Sequence, residues 1–162
     1  MTAQTAIADV LDAIYDLWST DPTLTATEGI DFFDGPVGAG DRTAGAKVIV
    51  GAEDWGDDDQ DAGTGTASWA QASTLSDIDE TLTIPCAVWV GRGGDDMRTR
   101  RREAVTLYDR CAELVRGEDF GMTPPVQVLW SYASGSALRQ EQGQDGAAVL
   151  LSFTVTVRTR IY

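Results

Sequence analysis

The chain of 162 residues has no histidine, a single lysine (Lys47), two cysteines and a shortage of positive charge: 12 Lys plus Arg against 26 Asp plus Glu, a net charge of −14. Each shortage excludes a class of chemistry. Without histidine there is no Ser-His-Asp or Cys-His nucleophile system, no imidazole general base and no His-ligated metal. Cys86 and Cys111 supply neither a disulfide framework nor four thiolates for zinc. An excess of negative charge opposes general binding to nucleic acid or anionic membrane, which needs dense Lys and Arg to neutralise phosphate. No apolar run reaches the ~18 residues of a membrane span. The start has no basic segment leading into an apolar stretch, so no signal peptide is expected.

What remains is ordinary globular material, 43% hydrophobic and 23% charged. The length fits one domain, residues 1–162, large enough to bury a real core. Ile7, Val10, Leu11, Ile14, Leu17 and Trp18 recur at helical spacing, with Asp9, Asp12 and Asp16 opposite, and predict an amphipathic helix ended at Thr20-Asp21-Pro22. A short extended piece, Gly29 to Phe33, leads to the turn Asp34-Gly35-Pro36, and Ala46 to Gly51 reads as a buried strand.

Thr66 to Thr74 and Asp79 to Gly91 predict a hairpin, its second strand alternating Leu82, Ile84, Cys86, Val88 and Val90 with a more polar set. Pro85 has no N–H to donate, which places that strand at an edge or a bulge. A second helix capped by Asp95 or Asp96 runs to about Arg116, and Gly117 ends it. Val126 to Ala133 alternates, with Val126, Val128, Trp130 and Tyr132 on one face; Ser134 to Gly146 reads as a polar, Gly-rich connection. Ala147 to Tyr162 alternates to the end of the sequence. At ~3.3 Å per residue it would reach about 50 Å, against ~20 Å for an ordinary strand, so part of the sheet is expected to project toward a partner. The expected fold is α+β: an antiparallel or mixed sheet with both helices packed on one side and extended hairpins.

Charge is unevenly placed. Glu53, Asp54, Asp57, Asp58, Asp59 and Asp61 crowd one segment with no base among them, which predicts a solvated loop. Asp57, Asp59 and Asp61 match the first three ligand positions of an EF-hand, but Ala62 and Ser68 then stand where Gly and a bidentate Glu are needed. Arg98, Arg100, Arg101 and Arg102 open the second helix, the end its dipole disfavours for cations. Two readings fit: a solvated face offset by Asp95, Asp96 and Glu103, or a surface for carboxylates on another subunit or in the acidic loop. Gly91-Arg92-Gly93-Gly94 has neither the Walker Lys-Ser/Thr nor the dinucleotide glycine spacing, and reads as a turn. No carboxylate pair stands out for acid–base work, and no cofactor is expected.

The helix Ala6 to Trp18, the segment Ile30-Asp31-Phe32-Phe33-Asp34-Gly35-Pro36, the strand Lys47 to Gly51, the stretch Glu80 to Val90, the Arg-rich helix Met97 to Arg116 and the closing Val149 to Ile161 carry a family likeness. Together they resemble the tail terminator proteins of long-tailed, siphovirus-type bacteriophages, especially those of actinobacterial hosts. The acidic loop and the 134–146 connection lie outside the likeness. The resemblance implies a non-enzymatic virion protein, assembled in the host cytoplasm. It would form a homo-hexameric ring at the head-proximal end of the tail. There it would cap the tail tube protein, stop its polymerisation and present a surface to the head–tail connector. DNA would pass through without specific binding, and an acidic lumen would repel its phosphates. Candidate subunit-interface residues are Arg98, Arg100, Arg101, Arg102, Asp57, Asp58, Asp59, Asp61, Arg158 and Arg160. Two other readings stay open: a head–tail connector or tail-completion (neck) protein, and a small metal- or ligand-binding α+β domain.

Overall fold

The computed structural model describes residues 5–38, 43–53, 60–69, 77–94, 96–117 and 120–162. Helix α1 (Ile7–Ser19) buries Val10, Ile14 and Trp18, the stripe expected from its spacing. Its own N-cap, Ala6, has no side chain to offer, and Glu80 supplies the acceptor instead. The Glu80 carboxylate takes the Ala6 N–H at 2.8 Å and the Thr5 hydroxyl at 2.6 Å, placing negative charge at the positive end of the helix dipole. After Thr20 comes a single helical turn, α2 (Pro22–Thr25), with Pro22 at its first position and Asp21 as its N-cap, accepting from Leu24 N–H at 2.9 Å.

Strands β1 (Ile30–Asp34), β2 (Gly45–Val50), β3 (Thr64–Trp69), β4 (Ile78–Gly91), β5 (Val126–Gly143) and β6 (Gly146–Ile161) form one mixed sheet in the order β1-β2-β4-β6-β5, with β3 also on β4. Among the described strands only β1 and β2 run parallel; the other pairs are antiparallel. β2 pairs with residues 86–91 of β4 and β3 with residues 78–83, so they share one flank of the same strand. Pro85 falls in the interval between them, where neither strand asks for its missing N–H. The expected hairpin is present as β3 and β4; residues 70–76, including part of the expected first strand, lie outside the described residues.

Helix α3 (Met97–Val115) starts on Asp96, which accepts from the Thr99 N–H and hydroxyl at 3.1 and 2.5 Å. It buries Ala104, Leu107, Cys111 and Val115. Both long helices lie on one face of the sheet, where α1 and α3 close over Val48, Leu82, Ile84, Cys86, Val88, Phe153 and Val155 in the main core. The α+β architecture with helices packed on one side is therefore as expected. On the opposite face, which carries no helix among the described residues, a smaller cluster of Val37, Ile49, Ala52, Ala87 and Leu150 packs with Phe33 and Trp89. Burial pushes the Cys86 thiol up to about 12 and raises Cys111 as well, so both sit in the core as inert thiols.

β6 is paired along its length, by β4 from Ala148 to Ile161 and by β5 from Gly146 to Ile161. Three expectations change. The Pro85 strand, β4, is neither at the edge of the sheet nor bulged: it lies between β2 and β6 and pairs β6 without a register shift. The 134–146 stretch is mostly strand, because β5 continues to Gly143 and only Gln144 and Asp145 turn. Its exposed residues show no alternation because neither face meets the core there. The turn closes on Gly146, whose φ of +102° and whose missing Cβ both matter, since that atom would lie 2.6 Å from the Gly94 carbonyl. Lastly, an irregularity at Leu129 inverts the phase of β5. Val126 and Val128 face the core, whereas Trp130 and Tyr132 turn to the helix-free face and stack with centroids 5.7 Å apart, 39% and 48% exposed.

Candidate assembly surfaces

The first turns of α3 present Arg98, Arg101 and Arg102 to solvent, while Arg100 folds inward. Glu103 takes Arg100 Nη1 at 2.8 Å on one oxygen and Arg92 Nε at 3.3 Å on the other. Arg92 also donates to the Glu28 carbonyl at 2.7 Å, tying the 92–94 turn to the loop before β1. The unfavourable meeting of cations with a helix N-terminus is thus relieved at Arg100 by Glu103 three residues on, with Asp96 capping the helix itself. Arg101 reaches across to Gln140 on β5 at 2.9 Å. Of the four arginines, three are exposed, Arg101 among them despite its bond to Gln140, and Arg100 alone is half-buried and ion-paired.

Arg158 and Arg160, both partly exposed, are ion-paired within the chain. Both are spent on Asp79 in the neighbouring strand. Arg160 grips it with Nε at 2.7 Å and Nη2 at 3.1 Å, and Arg158 adds Nη2 at 3.1 Å. The alternation of β6 brings both side chains to one face, and the register sets Asp79 directly opposite Arg160. Sequence spacing reveals the shared face but not the partner two strands earlier in the chain.

The acidic segment is described only at its ends. Asp57, Asp58 and Asp59 lie outside the described residues, and Asp61 is exposed. Glu53 is anchored to the helix-free face, its carbonyl accepting from Ser152 Oγ at 2.7 Å and its N–H donating to Gln60 Oε1 at 3.0 Å. Glu53, Gln60, Asp61, Thr83, Pro85 and Thr154 border a shallow cleft of about 340 Å³ there. The α3 arginines are on the other side of the sheet, alongside the core-facing side of β5.

A larger cleft, about 700 Å³, opens between the solvent face of α1 and residues 120–126. Asp9, Asp12 and Asp16 form one wall, and Phe120, Met122, Pro124 and Pro125 contribute apolar surface opposite. The helical spacing of the three aspartates is legible in the sequence, but the wall facing them is not.

A second ion pair is structural. Asp21 is buried behind α2 and takes Arg110 of α3 in a fork, Nη2 at 2.7 Å and Nε at 3.1 Å, while Arg110 also reaches Glu113 at 2.9 Å. The Arg110 guanidinium holds the Asp21 carboxyl below the usual carboxylate range, assisted by the Leu24 N–H and opposed by burial. Arg160 and then Arg158 do the same for Asp79, again against burial. A carboxylate whose pKa is depressed by folding stabilises the fold above its unfolded value of about 4, and that contribution is lost as the pH falls through the folded value. Urea unfolding should therefore give a stability that falls steeply below about pH 4. The acid limb should flatten in Asp21→Asn and in Asp79→Asn; a limb of unchanged slope in both variants would contradict these assignments.

Among the described residues no group of three or more His, Cys, Asp or Glu could hold a metal ion, and no helix is long and apolar enough to cross a membrane. Comparison with protein-family models and with curated proteins returns no match to this chain.

Proposed function

We propose that the chain is a phage tail terminator: a ring subunit that caps the tail tube, ends its polymerisation and presents the joining surface for the head-side connector. The observation that carries this reading is the outer half of β5. From Ser134 to Gly143 the strand is bonded to β6 on one side and is the outermost of the described strands on the other, and its described side chains are exposed on both faces. A sheet edge of this length is a template for main-chain pairing with another chain. Ring closure also needs two unlike patches on one subunit, and the sheet ends in unlike edges, β1 at one side and β5 at the other. The net charge of −14 suits a collar through which DNA slides without adhering. The segments that carry the family resemblance, α1, β1, β2, β4, α3 and β6, are four of the strands of the sheet and the two long helices that cover it.

The test is polymerisation of the matching tail tube protein with and without this chain. Added in slight excess over tube ends, it is expected to shorten the length distribution, with ring-shaped density at one tube end by negative-stain microscopy. Tubes of unchanged length and bare ends at saturating protein would rule the function out.

A further inference from the structure

We propose that copies of this chain dock head to tail, the arginine end of α3 from one copy seating in the acidic cleft beside α1 of the next. The contact rests on the ring-subunit reading for its setting and on three observations for its form.

Each surface is a charged row beside an apolar strip, and the two are opposite in sign. In the cleft, Asp9, Asp12 and Asp16 follow one another on the solvent face of α1, spanning about 10 Å at 1.5 Å per residue. Among the described residues none of these carboxylates has a cationic partner. Met122, Pro124 and Pro125 line the facing wall. On α3, Arg98, Arg101 and Arg102 are exposed and, among the described residues, have no carboxylate partner. Val105 continues the same helical stripe at 41% exposure. Leu138, at 42%, lies two residues along β5 from the Gln140 that holds Arg101. Guanidinium forks match carboxylates in pairs, and the apolar strips give such a contact a dry side.

The two surfaces do not satisfy each other within one copy. Val126, at the start of β5, borders the cleft, and Gln140, near its far end, holds Arg101. At ~3.3 Å per residue, less the irregularities in the strand, these two positions are about 40 Å apart, and Arg102 is eight residues, about 12 Å, along α3 from the Arg110 that pairs with Asp21 just beyond the aspartate row. Complementary patches that lie apart on one molecule associate heterologously, and such a contact closes into a ring when its rotation permits.

The test is a pair of charge-reversal variants of the full chain, Arg98→Glu/Arg101→Glu/Arg102→Glu and Asp9→Lys/Asp12→Lys/Asp16→Lys. All six side chains are exposed, and unchanged circular dichroism and thermal midpoints verify folding. Sedimentation velocity should show the wild type associating at about 50 mM salt and dissociating as salt rises. Each variant alone should associate about tenfold more weakly or worse, since each sets like charges against like. An equimolar mixture should recover association, because the intact row of one variant meets the intact row of the other and the two reversed rows also match. Wild-type-like association of either variant alone, a mixture without recovery, or a wild type that stays monomeric both free and on tube ends would overturn the contact. The two proposals fail separately. Capping of tubes that both variants perform normally removes this contact and leaves the terminator function standing. Salt-sensitive association with rescue in the mixture, but tubes of unchanged length, does the reverse.

Discussion

Replacing Phe153 with alanine is expected to cost about 3–5 kcal/mol of stability, among the largest losses available to a single truncation in this chain. Phe153 is 1% exposed near the middle of β6, with β4 on one side and β5 on the other. Its ring meets Tyr108 of α3 edge-on at 5.0 Å and Trp18 of α1 at 5.8 Å, so one side chain joins both long helices to the sheet. Trp18 is in turn fixed by its indole N–H, which donates to the Cys111 carbonyl at 3.2 Å, and Tyr108 lies over Gly135, where β5 offers no side chain. Neither neighbour is free to collapse into the vacated space, and a persisting cavity adds to the lost transfer energy. Phe153→Leu keeps most of the volume and should cost less than half as much. Urea unfolding with an unchanged m-value is the measurement. A loss below about 1.5 kcal/mol for Phe153→Ala would mean the helices and sheet repack independently of this ring.

The long helices and strands β4 and β6 are legible because each presents one face to the main core, and β2 because its apolar run is buried on both faces. Val10, Ile14 and Trp18 recur at helical spacing because α1 buries one stripe, and Leu82 to Val90 alternate because β4 has helices on one side and a more polar face on the other. Legibility fails where that cause is missing. The outer half of β5 is exposed on both faces, so its residues carry no period, and its polarity reads as a loop. Trp130 and Tyr132 keep a perfect alternation with Val126 and Val128 on paper, yet one added residue at position 129 sends them to the other face. A bulge leaves no mark in hydrophobicity. The candidate surfaces divide in the same way. The exposed arginines of α3 follow from local charge, whereas the commitment of Arg158 and Arg160 to Asp79 follows from strand register, which pairs residues 79 and 160. Segments distant in the chain meet in the cleft at α1, and only its aspartate row is periodic.

Lys47 gives the sharpest contrast between what composition suggests and what the fold does with it. The only lysine of an acidic chain would be expected on the surface, where charge is cheap to solvate, but its side chain is 0% exposed. The β2 pattern, buried at every position, leaves it no route to water on the helix-free face. Its stem lies in the small cluster there, and its ammonium sits 5.6 Å from the Phe33 ring and 5.9 Å from the Trp89 ring, with Asp31 at 3.0 Å and Thr43 Oγ1 at 3.3 Å. Trp89 is held in place because its indole lies against Gly91, where a Cβ would come within 2.2 Å of the ring. Asp31 is more than half exposed, so removing its partner strands no buried charge. The desolvation of the ammonium and the energy of the pair then nearly cancel, and Lys47→Met, which fills similar space without charge, is expected to change stability by less than about 1 kcal/mol in either direction. Lys47→Glu differs in kind. It places a carboxylate in the same enclosed position, facing Asp31 and the negative faces of two aromatic rings, with no cation in contact among the described residues, and is expected to cost about 3–5 kcal/mol. Measured side by side in urea, the pair separates two roles for this residue. Losses of equal size in both variants would mean that the shape of the lysine matters and its charge does not. A large loss in Met with a small one in Glu would mean that Lys47 reaches water and that the enclosed site of β2 is open.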